Sequence, residues 1–160
     1  MKEYIGTKIV QAEPAFRVTG GDFKNVIHPK TYAVPEDRAG QIWEDGYKVV
    51  YPDGYVSWSP KEVFEAAYRA TDGMSFGLAL EAVKMGKRIS RSGWNGKGMY
   101  VFLADDVEFH TNADISEFYG AADGCCVASV LVMRTAQGNM QPGWLASQAD
   151  MLADDWQIVW

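Results

Sequence analysis

Ser75-Phe76-Gly77-Leu78-Ala79-Leu80-Glu81-Ala82-Val83-Lys84-Met85-Gly86 is followed at once by Lys87-Arg88-Ile89-Ser90-Arg91-Ser92-Gly93-Trp94. In the first block Phe76, Ala79, Leu80 and Val83 recur at i, i+3, i+4 and i+7. That spacing predicts a helix from about Ser75 to Met85 with one buried face. Gly86 is placed to end it, because glycine readily takes the left-handed conformation found just past helix C-termini. The second block predicts a strand from Lys87 to Trp94. Further strands are expected at Met99 to Leu103, Cys126 to Arg134 and Asp155 to Val159, with a short helix from about Gln148 to Ala153. A helix followed by strands that can pair as neighbours predicts an α+β fold. The expected domain spans residues 74–160, an antiparallel β-sheet with a packed N-terminal helix.

Upstream, Ala70-Thr71-Asp72-Gly73 reads as a linker, so residues 1–70 form a separate small module. Thr7 to Ala12 predicts a strand. Glu13 to Gly40 holds Gly20-Gly21, His28-Pro29 and Val34-Pro35 and reads as a long loop. Gly46 to Tyr51 and Tyr55 to Trp58 flank Pro52-Asp53-Gly54, where Pro sets φ and Gly accepts a positive φ, so a hairpin is expected. Ser59-Pro60-Lys61-Glu62 predicts a helix start with Ser59 as N-cap, Pro60 at the first helical position and Glu62 completing a capping box. That helix should run to about Arg69 with Val63, Phe64 and Ala67 on its apolar face. The module is thus a β-hairpin plus helix.

The 160 residues carry a net charge of −6, which argues against a partner that is polymeric nucleic acid. No apolar run approaches the roughly 20 residues that span a bilayer, and the N-terminus lacks a signal-like stretch. A cytoplasmic protein with no membrane partner is expected. Charge is uneven: between Ala82 and Ala104 there is no acid, yet Lys84, Lys87, Arg88, Arg91 and Lys97 fall there. Such a patch suits a small anion, and equally an ordinary solvated face. Cys125 and Cys126 are adjacent, a poor arrangement for a disulfide, so reduced thiols are expected.

Gly93-Trp94-Asn95-Gly96-Lys97-Gly98-Met99-Tyr100 mixes three glycines with rings and polar side chains. Glycine lets backbone approach a ligand, and Trp and Tyr offer faces on which a base stacks. Asn95-Gly96 is also a preferred hairpin pair, so Trp94 at the tip could simply pack on the core. Trp144-Leu145-Ala146-Ser147-Gln148-Ala149-Asp150-Met151 adds another ring, a hydroxyl, an amide and a carboxylate. Ser147 and Asp150 fit a capping box, and the helix start they define could also receive a phosphate. His28 and His110 both read as loop residues. No nucleophile motif, metal-ligand spacing, or Walker or Rossmann glycine pattern is present. No catalytic residue, metal or cofactor is therefore expected, and the residues point to capture of a flat, anionic small molecule.

From Met74 to Trp160 the chain resembles the second Thoeris anti-defence family of bacteriophages. The resemblance rests on Ser75 to Ala82 before Gly86-Lys87, on Gly93 to Tyr100, and on Trp144 to Trp156. It implies a non-enzymatic sponge, a homotetramer with pockets between subunits. The implied ligand is a cyclic ADP-ribose isomer, with cyclic dinucleotides bound by some members. Under it, Trp94 and a second ring, Trp144 or Tyr100, would sandwich adenine. Asn95 and the backbone at Gly96 would meet ribose or phosphate, and Ser147, Gln148 and Asp150 the sugars. Lys97 or Arg91 would offset the pyrophosphate charge. Leu78 departs from the family, which often has an acid there, and so does the segment from Leu103 to Gly143, whose Asp105 to Gly124 portion would line the pocket. The alternatives are a phage structural or host-interaction module, or a nucleotide-processing enzyme.

Overall fold

A computed structural model describes residues 2, 7–36, 38–105, 107–108 and 126–160. The chain divides into two compact units, Met1–Arg69 and Ala70–Trp160. It is an α+β protein built on antiparallel sheets.

In the first unit, β1 (Gln11–Gly20), β2 (Phe23–Pro29), β3 (Ile42–Val50) and β4 (Val56–Pro60) form one sheet in the order β2-β1-β3-β4. The stretch expected to be a loop is therefore a hairpin, and His28 lies in its second strand rather than in a loop. Gly20 and Gly21 take φ of 85° and 56°, which closes a tight connection that flanking polar residues had disguised. Pro14 is tolerated in central β1. Its carbonyl accepts from Lys30 at 3.2 Å, so its missing N–H points towards the end of β2, where the ladder stops. The strand expected at Thr7 starts at Gln11 instead.

Pro52-Asp53-Gly54 turns as expected: Gly54 has φ of 84° and donates its N–H to the Tyr51 carbonyl at 2.9 Å. Gly46 has a packing reason, since a Cβ there would lie 2.7 Å from the Trp58 ring. Helix α1 (Lys61–Ala67) begins one residue later than expected. Ser59 still pairs with Tyr47 in the sheet, so Pro60 is the N-cap and no side chain caps the helix. Phe64 stacks on Tyr47 at 4.3 Å, whereas Val63, expected on the apolar face, is exposed.

In the second unit, α2 (Phe76–Lys84) covers one face of a sheet of β5 (Arg88–Arg91), β6 (Tyr100–Ala104), β9 (Val130–Arg134), β10 (Met140–Pro142) and β11 (Trp156–Val159). The order is β10-β9-β6-β5-β11. Ser75 is the N-cap but makes no side-chain cap, in keeping with the missing acid at Leu78. At the other end Gly86 has φ of 77°. Its N–H reaches the Val83 carbonyl and that of Lys87 reaches Ala82, a Schellman closure. Ala79, Ala82 and Val83 are buried with Ile89, Val101, Met133 and Trp156. Leu80 is outside this cluster. The small Ala79 and Ala82 rotate the contact stripe towards themselves and bring helix and sheet close.

Two expected strands are shorter. The one begun at Lys87 ends at Arg91, and the one from Cys126 splits into β8 (Cys126–Val127), paired with β7 (Val107–Glu108), and β9. The segment expected to be a linker docks on β11: the Ile158 N–H reaches the Thr71 carbonyl at 2.8 Å, and Met74 bridges Trp156. Helix α3 (Gln148–Met151) is short. Cys125, His110 and most of the acidic stretch from Asp105 to Gly124 lie outside the described residues. Among the described residues no helix is long and apolar enough to cross a membrane.

Trp156 is completely buried in this cluster. Replacing it with Ala removes a large ring from a site that cannot collapse, so Trp156→Ala should lose about 3–5 kcal/mol in a denaturant titration.

Candidate functional site

Eight residues, Ser92 to Met99, link β5 to β6, so Asn95-Gly96 is not a two-residue hairpin turn. The loop is shaped by its own packing. The Gly93 N–H donates to Asp155 Oδ2 at 2.8 Å, where a Cβ would collide. A Cβ on Gly96 would press into Met99 and Ala136. Gly98 has φ of 71°. The glycines expected to admit a ligand are thus accounted for by the loop itself.

The half-buried Trp94 packs on the core rather than standing free. Its ring meets Trp156 edge-on at 5.4 Å and 78°, and Trp144 at 6.1 Å and 70°. Trp144 meets Trp156 in the same manner at 6.2 Å. Within one chain, Trp94 and Trp144 therefore form a corner, not two parallel walls. The expected sandwich of a base between them does not fit this geometry. A corner lets one ring stack on a base while the other meets its edge. Tyr100 is not in this corner: it lies on the sheet face opposite Val101 and the core cluster.

Asp150 organises the corner. Oδ1 accepts from Arg91 Nη1 at 2.9 Å and Trp94 Nε1 at 3.1 Å, and Oδ2 accepts from the Ser147 N–H at 3.0 Å and its Oγ at 2.6 Å. Ser147 Oγ in return accepts from the Asp150 N–H at 3.1 Å, so the capping box is present. This carboxylate puts negative charge at the start of α3, which removes that helix end as an anion site. Arg91 Nε also donates to Asp155 Oδ1 at 2.7 Å. Arg91 is thus committed to two carboxylates, which leaves Lys97 as the cation of the pair expected to face pyrophosphate.

Burial alone would raise the Asp150 carboxyl. Hydrogen bonds from Ser147, Arg91 and Trp94 outweigh that and bring it down to about 2. The Arg91 hydrogen bond likewise lowers Asp155, despite partial burial. Those two carboxylates raise Arg91, Asp155 first.

Ser147 and Asp150 therefore act on one another and on Trp94, whereas Asn95, Lys97 and Gln148 are exposed with no side-chain partner among the described residues. They can donate to a ligand at the margin of the corner. Sequence reasoning missed the anchoring role of Asp155 and of buried Trp156. Only pairing across more than 60 positions reveals it. Among the described residues no group of acids, histidines or cysteines could hold a metal.

The folded Asp150 ionises at about 2 against an ordinary 3.8, so its contribution is full above about pH 4 and is lost as pH falls towards about 2. The loss is about 2 kcal/mol. Unfolding midpoints between about pH 5 and about pH 2.5 should fall more steeply for the wild type than for Asp150→Asn. Equal slopes would remove Asp150 as the responsible group.

Residues 74–159 match the Thoeris anti-defense 2-like domain family. A protein of Bacillus phage SP01 named Thoeris anti-defense 2 is 40% identical over 93 residues, covering 54% of this chain and 94% of that relative. The rings, the capping box and the Arg91 ion pairs described above all fall inside the matched segment. The chain belongs to the Thoeris anti-defense 2-like family, and its role is anti-defence of a bacteriophage kind.

Proposed function

We propose that this chain captures a cyclic nucleotide immune signal, a cyclic ADP-ribose isomer in the first instance, and holds it without converting it. Thoeris defence would then be blocked because the signal never reaches its effector. The observation behind this reading is the corner of Trp94 and Trp144, fixed by Asp150 and bordered by Asn95, Lys97 and Gln148, whose side chains have no partner among the described residues. One ring stacks on the adenine, the amides meet ribose hydroxyls, and Lys97 faces the pyrophosphate. Because the two rings do not enclose a base within one chain, a second copy completes the pocket, in a tetramer with sites between subunits. Ser147 and Asp150 hold the ring and the turn in place rather than gripping sugar.

Rigidity favours capture. A ring already hydrogen-bonded through Nε1 and braced against Trp156 loses little freedom on binding, so more of the stacking energy appears as affinity. Hydrogen bonds and Arg91 hold Asp150 and Asp155 below the ordinary carboxylate range, the opposite of the raised pKa of a general acid.

Trp94→Ala should weaken binding of a cyclic ADP-ribose isomer by about 1–3 kcal/mol in calorimetry, with circular dichroism confirming the fold. A folded Trp94→Ala protein of unchanged affinity would overturn the assignment of the corner as the binding site.

A further inference from the structure

The sheet of the second unit has a second face, away from α2. Alternation along the strands puts Arg88 and Ser90 of β5, Tyr100 of β6, Arg134 of β9 and Gln157 of β11 on it. Tyr100 pairs directly with Arg134, and Ser90 with Gln157. Both guanidinium groups converge on one ring: Arg88 lies 5.1 Å and Arg134 5.9 Å from the Tyr100 centroid.

Two features set this cluster apart from ordinary surface charge. First, neither arginine pairs with a carboxylate among the described residues, in a chain where acids outnumber bases 21 to 15. Arg17 and Arg91, by contrast, each have carboxylate partners. Second, two like charges held at one ring repel each other, which an anion between them would relieve. Beside the arginines, the Ser90 side chain lies on the same face, opposite Ile89.

We propose that Arg88, Ser90, Tyr100 and Arg134 form a binding site for a phosphate-bearing anion, a phosphoryl or diphosphate group, on the sheet face opposite α2. The guanidinium forks supply charged donors suited to phosphate oxygens, and the two hydroxyls complete the set. Arg134 is held for this task by its Nη1 hydrogen bond to the Gly98 carbonyl at 2.8 Å. Trp94 and Trp144 pack on the other side of the sheet, so this site is separate from the corner. It stands or falls independently of the capture reading.

The test is calorimetry of the full chain with inorganic pyrophosphate at low ionic strength. Arg88→Gln and Arg134→Gln should each weaken binding about tenfold, and the double variant should abolish it. The Arg88 side chain makes no hydrogen bond among the described residues, so Arg88→Gln decides the matter even if Arg134→Gln perturbs the loop at Gly98. Lys84→Gln removes an equal charge from α2 and should leave pyrophosphate binding as it was. The proposal is overturned if the wild type shows no binding at about 10 mM pyrophosphate, if Arg88→Gln binds as tightly as the wild type, or if Lys84→Gln weakens binding as much as Arg88→Gln does.

Discussion

Burial of the Trp156 ring constrains the rest of the second unit. The ring has no exposed surface, yet it carries an N–H that must be satisfied. The Asp150 carbonyl supplies the partner at 2.9 Å, which fixes α3 over the core. On the same ring rest Phe76 from α2, Trp94 from the β5–β6 loop and Trp144 before α3. The backbone of Trp156 binds Met74 in both directions. A single residue near the C-terminus therefore ties together the start of the domain, its helix and both loops of the candidate site.

Around that ring, electrostatics does the finer placing. One guanidinium, Arg91, serves Asp150 and Asp155, and each carboxylate spends its remaining lone pairs on a loop. Asp155 holds Ser92 and Gly93, and Asp150 holds Trp94 and Ser147. With side-chain exposure of 18% for Arg91 and 13% for Asp150, the pair is shielded enough to matter more than a surface ion pair. Removing one member would strand the other. The result is a stiff corner of aromatic surface bordered by polar side chains that have no partner among the described residues.

Helix α2, its Gly86 stop and the strands after it were legible because local periodicity and termination chemistry agree there. The Ser147–Asp150 capping box was legible for the same reason. The hairpin at Gly20-Gly21 was not, because Pro14 and the polar residues around it mask alternation that only pairing with β3 makes visible. Ser59 failed as a cap because the β4 ladder claimed it first, a tertiary effect. At the site, the sequence named Trp94, Trp144 and Asp150 together. It could not show that Tyr100 alternates to the far face of β6, nor that Gly93 and Gly96 answer to Asp155 and Met99 rather than to a ligand.

On the capture account this corner holds a molecule rather than transforming it, which makes one requirement that conversion does not. The ligand must come back unchanged. Incubating the protein with a cyclic ADP-ribose isomer, removing free ligand, denaturing the complex by heat and analysing the supernatant by mass spectrometry measures this directly. The account predicts recovery of the intact cyclic molecule in proportion to protein. A linear or cleaved product would contradict it, as would a supernatant without nucleotide.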